Sequence, residues 1–89
     1  MLGPDGNEVE PDTIEGRYAN YFQIGYNPVE FVLDFGQFYP GGTMARLHTR
    51  VVTSPAYARA LVETMLESLR QYEEAFGPIS KIGDDRGNS

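Results

Sequence analysis

Apolar residues recur at every second position from Tyr18 to Thr53, then at every third or fourth position to Phe76. A period of two marks strands and a period of 3.6 marks a helix. Tyr18 to Tyr26 predicts a first strand, with Phe22 and Ile24 on one side and Ala19, Tyr21 and Gln23 on the other. Asn27-Pro28 predicts a turn. Val29 to Phe35 predicts a second strand, its apolar side made of Val29, Phe31, Leu33 and Phe35 and its other side of Glu30, Val32 and Asp34. Pro40-Gly41-Gly42 is a second turn signal. A third strand is expected from about Met44 to Thr53. Leu47, Thr49 and Val51 fall on one side of it, and Arg46, His48 and Arg50 on the other.

The two turns imply registers. Centring the first hairpin on Tyr26-Asn27 pairs Ile24 with Val29 and Phe22 with Phe31. Centring the second on Gly41 pairs Phe31 with Val51, Leu33 with Thr49 and Phe35 with Leu47. It also sets Asp34 opposite His48, with Arg46 and Arg50 diagonal to it. Both registers gather the apolar side chains on one face, and a slip of one residue would scatter them.

A helix is expected from Pro55 to about Phe76. Ser54 suits the N-cap, because its hydroxyl accepts a hydrogen bond from an otherwise unpaired amide. Pro55 suits the first helical position, where no amide hydrogen is needed. Gly77 can adopt the left-handed conformation that ends a helix, and Pro78 forbids continuation. Ala58, Leu61, Val62, Met65, Leu66, Leu69, Tyr72 and Phe76 fall within an arc of about 140°. Arg59, Glu63, Glu67, Arg70 and Glu74 lie away from it, and Glu73 stands at its margin. Glu73 is either a solvated edge residue or the partner of a base across a dimer interface.

The fold expected is α+β: a three-stranded antiparallel β-β-β meander followed by one long amphipathic helix packed on one sheet face. Pairing of the stripe with the same helix of another subunit is the alternative. Length supports it, since 22 helical residues span ~33 Å and a seven-residue strand only ~23 Å. Tyr72 and Phe76 would then need cover from a second chain or from the Ile79–Ile82 segment.

Composition adds the need for a partner. Eighty-nine residues form one small domain, and a chain this short is marginal alone. It has no cysteine and one histidine, so disulfides and thiolate or histidine-cluster metal sites are excluded. A second subunit is the remaining common route, so a homodimer is expected. The net charge of −6 is uneven. Asp5, Glu8, Glu10, Asp12 and Glu15 crowd the first 15 residues, whereas acids and bases balance over residues 16–82. Residues 1–15 predict a disordered acidic tail, residues 16–79 the single domain, and residues 80–89 a loose C-terminal tail. No apolar run approaches the roughly 18 residues of a membrane span. No basic and apolar leader opens the chain, and with the missing cysteines this predicts a cytoplasmic protein.

Five segments taken in order resemble a known family. They are Tyr18-Ala19-Asn20, Glu30 to Phe35, Arg46 to Arg50, Ser54 to Ala58 and Tyr72 to Ile79. Together they are similar to an uncharacterised family of short bacterial proteins, one of the domain-of-unknown-function families. The resemblance covers about residues 16–79. It implies a bacterial, cytosolic protein and no particular reaction.

The candidate chemistry lies on the polar sheet face, with Tyr21, Glu30, Val32, Asp34, Arg46, His48 and Arg50. An Asp34–His48 pair would be a carboxylate–imidazole general base. No nucleophile with a matching partner, Gly-rich loop or lid accompanies it, so a cross-strand charge ladder is the simpler reading and no enzyme is expected. A metal held by Glu30, Asp34 and His48 would be repelled by the adjacent arginines, so neither metal nor cofactor is expected. Arg46, His48 and Arg50 on a two-stranded ribbon, with Tyr21 to stack on a base, suit nucleic acid. Glu30 and Asp34 partly neutralise that face and weaken the reading. Tyr21, Val32 and Val52 break up the charges with apolar area, and a mixed aromatic–arginine surface fits binding to another protein. A homodimeric protein-interaction module is the leading expectation, and a nucleic-acid-associated accessory protein the alternative.

Overall fold

The computed structural model describes residues 13–82. Most of the two expected tails, residues 1–12 and 83–89, lies outside the described residues. The element order is β1 (Tyr21–Tyr26), β2 (Phe31–Phe38), β3 (Ala45–Thr53) and α1 (Pro55–Phe76). The strands form one antiparallel sheet in the order β1-β2-β3. The chain is therefore the expected α+β arrangement of a meander followed by a helix. The described residues fall into two compact units, divided between Arg59 and Ala60.

The first strand begins three residues later than its alternation suggests. Asn20 takes its place in a non-repetitive segment: its amide donates to the Gly36 carbonyl at 3.0 Å, and its Oδ1 accepts from the Phe38 amide at 2.9 Å. β2 likewise starts at Phe31, not Val29, because the first turn is longer than expected. Asn27 Oδ1 accepts from the amides of Val29 (2.8 Å) and Glu30 (2.9 Å), and the Asn27 amide donates to the Glu30 carbonyl at 3.0 Å. This side chain stands in for a strand partner and holds residues 27–30 as a four-residue loop.

The longer loop moves the register by four residues. Ile24 pairs with Leu33 and Phe22 with Phe35, in place of Val29 and Phe31. Because the shift is even, the same side chains share a face. The Phe22 and Phe35 rings meet edge to face at 5.8 Å, and Tyr26 stacks on Phe31 at 5.6 Å.

The second hairpin turns at Tyr39 to Gly42. The Gly42 amide donates to the Tyr39 carbonyl at 2.9 Å, and Gly41 has φ +79° behind Pro40, which is a type II turn. Here the register moves by two: Phe31 pairs with Thr53, Leu33 with Val51 and Phe35 with Thr49. Asp34 therefore faces Arg50 and not His48. Beyond Phe35 the ladder is irregular, since Gly36 pairs with Leu47. His48 is the extra residue of a β-bulge.

Helix α1 keeps its expected bounds. Ser54 Oγ accepts from the Tyr57 amide at 3.2 Å, and Gly77, at φ +100°, closes the end by donating to the Glu73 carbonyl at 2.9 Å. Glu73 has a role that neither expected reading contained. Its carboxylate accepts from the Ile79 amide at 3.0 Å and so fixes the segment after the helix. Arg70 pairs with both Glu67 and Glu74. Those charges explain how Glu74 is tolerated in the last turn, where the helix dipole favours cations.

The buried apolar residues are few. Among the described residues only Leu33 and Ala58 form a buried core. The helical stripe expected to be covered stays exposed: Leu61, Val62, Met65, Leu66, Leu69, Tyr72 and Phe76 are all open to solvent. So are Phe22, Ile24, Tyr26 and Val51 on the sheet.

Candidate functional site: the Asp34–Arg50 sheet face

Strand alternation assigns each side chain to a face. Tyr21, Gln23, Val32, Asp34, Arg50 and Val52 share one face by register. The bulge at His48 changes the count beyond it. Leu47, paired with Gly36, joins the Asp34 face, whereas Arg46, paired with Gln37, goes to the other. Arg46, His48 and Arg50 thus do not form the continuous basic stripe that simple alternation implies. Glu30 is in the turn before β2 and outside the ladder.

Asp34 is the buried polar group of this face, at 4% exposure. Arg50 Nε donates to its Oδ1 at 2.7 Å and Nη2 to its Oδ2 at 2.9 Å. Such two-pronged pairing matches the planar guanidinium to the carboxylate. The hydrogen bonds from Arg50 hold the Asp34 carboxyl below its ordinary range, against desolvation, which pushes the other way. Arg50 remains 65% exposed beyond the pair. Its charge is matched by Asp34, although its outer edge still meets solvent.

His48 belongs to a different set of contacts. Its Nε2 lies 3.0 Å from the Tyr18 carbonyl and its Nδ1 2.7 Å from Thr49 Oγ1. The carbonyl can only accept, so Nε2 carries the proton and the Thr49 hydroxyl donates to Nδ1 in the neutral ring. Adjacent residues rarely meet on a regular strand, but a bulge turns two neighbours toward the same side. Arg17 Nη1 donates to the His48 carbonyl at 3.2 Å. His48 therefore tethers the segment before β1 to the bulge. The Asp34–His48 contact that the expected register would allow is not assembled: Arg50 takes both Asp34 oxygens, and Tyr18 and Thr49 take both ring nitrogens.

Gly36 makes the bulge possible. A Cβ there would overlap the Arg46 carbonyl oxygen and lie 3.0 Å from the Arg46 carbonyl carbon. The signal was present in the sequence, because a glycine inside an alternating strand marks close backbone approach. Two open hollows flank this region. One, of about 300 Å³, is lined by Asp34, Leu47, His48, Thr49 and Arg50. The other, of about 250 Å³, lies among Tyr21, Gln23, Phe38, Met44 and Leu47. Tyr21 and Phe38 meet edge to face there at 5.5 Å, and the Tyr21 hydroxyl donates to Gln23 Oε1 at 3.3 Å. Phe38 and Leu47 are members of this surface that the alternation of the sequence did not reveal.

Among the described residues no group of three or more His, Cys, Asp or Glu side chains is placed to hold a metal. No helix among them is long and apolar enough to cross a membrane. The face is a shallow, mixed aromatic and charged surface on a small antiparallel sheet.

That fold and surface come with a family. The chain belongs to the family described as "protein of unknown function" (DUF3467), whose model matches residues 5–81. Membership in an uncharacterised family is what the five sequence segments implied. No curated protein and no solved structure matches the chain.

Proposed function

We propose that this chain is a homodimeric protein–protein interaction module of the bacterial cytoplasm that binds and does not catalyse. A second copy covers apolar surface that one chain leaves open, and the Asp34–Arg50 face is left to meet a protein ligand. One observation carries the reading: large apolar side chains are exposed on both the sheet and the helix, whereas Leu33 and Ala58 are the only buried hydrophobic residues among the described ones. Contiguous exposed apolar area beyond a few hundred Å² is characteristic of an interface. A small chain without disulfides gains most from a second copy, which is always present at its own concentration. Tyr21, Phe38 and Arg50 supply the aromatic and guanidinium groups enriched where proteins meet.

Multi-angle light scattering of the full chain across the micromolar range tests the reading. A mass of twice the 9.9 kDa chain is expected. A monomeric mass throughout, with the helix and sheet intact by circular dichroism, overturns it.

A further inference from the structure

The helix carries a second pattern beneath its apolar stripe. Val62, Met65, Leu69, Tyr72 and Phe76 follow one another at alternating steps of three and four, the seam spacing of paired helices. Arg59, Leu66 and Glu73 recur every seventh residue along one flank of that seam. Leu61, Ser68 and Ala75 recur along the other. One flank is therefore charged at both ends with opposite signs, and the other carries no charge. Arg59 forms no ion pair among the described residues, in contrast to Arg50 and Arg70.

We infer that α1 pairs with α1 of a second copy in antiparallel orientation, each Arg59 lying against the partner's Glu73. This rests on the homodimer proposed above and specifies its geometry. In an antiparallel pair each flank meets the same flank of the other helix, read backwards. Arg59 then meets glutamate at both ends of the interface, and Leu66 meets its own copy at the centre. In a parallel pair the charged flank would face Leu61, Ser68 and Ala75, which offer Arg59 and Glu73 no counter-charge. Parallel pairing would also bring together two helix ends that hold Glu67, Glu73 and Glu74 against a single Arg70, and would align the two helix dipoles. Two-fold antiparallel pairing is self-complementary and closes at two copies.

Area is consistent with a second copy as the occupant. Leu61, Val62, Met65, Leu66, Leu69, Tyr72 and Phe76 are each between 42% and 76% exposed. Together they present roughly 700 Å² per chain, close to the ~800 Å² that each partner contributes to a standard interface. Ala58, four residues before Val62, continues the same seam and, being already buried, adds no open area to it.

The test uses the full chain and a reciprocal charge change. Arg59→Glu alone places like charges at both ends of the homodimer, and so does Glu73→Arg alone. Each is expected to weaken self-association by about tenfold or more. An equimolar mixture of the two variants restores every opposite-charge contact, so it is expected to form the heterodimer at near wild-type affinity. Sedimentation velocity with one variant fluorescently labelled reads both effects. Because the chain has no cysteine, a second arm reads orientation directly. A mixture of Met65→Cys and Leu69→Cys chains is expected to form a mixed disulfide on mild oxidation, while Leu69→Cys alone stays largely uncrosslinked. Ready self-crosslinking of Leu69→Cys without the mixed product shows a parallel pair and overturns the inference. A dimer indifferent to both charge changes and to both cysteines overturns the helix interface but leaves the homodimer standing. A chain that is monomeric throughout overturns both readings and leaves the helix face to another protein.

Discussion

Asp34, almost wholly buried, is held by two hydrogen bonds from Arg50, which is itself largely in solvent. The pair is asymmetric: one partner needs the contact to be buried at all, and the other would remain hydrated without it. Removal of the guanidinium is therefore expected to harm the sheet more than its exposed position suggests.

The pair sets a pH dependence of known sign. Arg50 lowers the folded-state pKa of Asp34 below its unfolded value. The resulting stabilisation is fully present above the ordinary carboxylate range, near pH 3.9, and is lost as pH falls through that range toward the lowered value. Glu67 is shifted the same way by Arg70, but it is exposed and solvent screens it. Asp34→Asn is expected to lower the melting temperature at neutral pH, with the gap from wild type narrowing on acidification. Thermal melts at fixed protein concentration between neutral and acidic pH check this. A gap that widens on acidification contradicts it.

Gly36 is a position where even one methyl group is excluded. Gly36→Ala drives a Cβ into the Arg46 carbonyl, which belongs to the backbone and cannot swing aside. A loss of about 1–3 kcal/mol is expected. Gly25, whose Cβ would meet nothing within 4 Å, is the control. Urea unfolding of Gly36→Ala and Gly25→Ala should separate the two clearly.

The side chain of Asn27 maintains the first turn. Asn27→Ala removes the acceptor for two backbone amides and is expected to cost about 1 kcal/mol per bond lost. Asn27→Asp keeps the acceptor and should retain most of the stability. Amide exchange at Val29 and Glu30, faster in Asn27→Ala than in Asn27→Asp, is the specific readout.

The ends of α1 make comparable, separable contributions. Ser54→Ala is expected to cost about 1 kcal/mol through loss of the N-cap. Gly77→Ala forces a Cβ into the left-handed region at φ +100°, at a cost of about 1–2 kcal/mol. These sites are at opposite ends of the helix, so the double variant should show additive losses in denaturant titration.

Legibility in the sequence followed the range of the physics. The helix was readable to the residue because Ser54, Pro55 and Gly77 act on their immediate neighbours. Each strand's existence and most of its face assignment were readable too, because both register shifts before the bulge were even. The candidate site was legible as residue types more than as partners. Alternation assigns Asp34 and Arg50 to one face, but it matches Asp34 with His48 and keeps Arg46 on a face that the bulge makes it leave.

The sequence by itself determined the meander, the helix with its ends, and the family to which the chain belongs. Alternation, capping and turn chemistry are local, so they are written into short segments. Only the tertiary structure decided the registers, the bulge and the Asp34–Arg50 pair. A register depends on which distant backbone groups satisfy one another, and here Asn27 lengthened one turn and the extra residue His48 displaced one ladder. One residue in a strand changes the face of everything beyond it, and that is why Leu47 joins Asp34 and Arg46 does not.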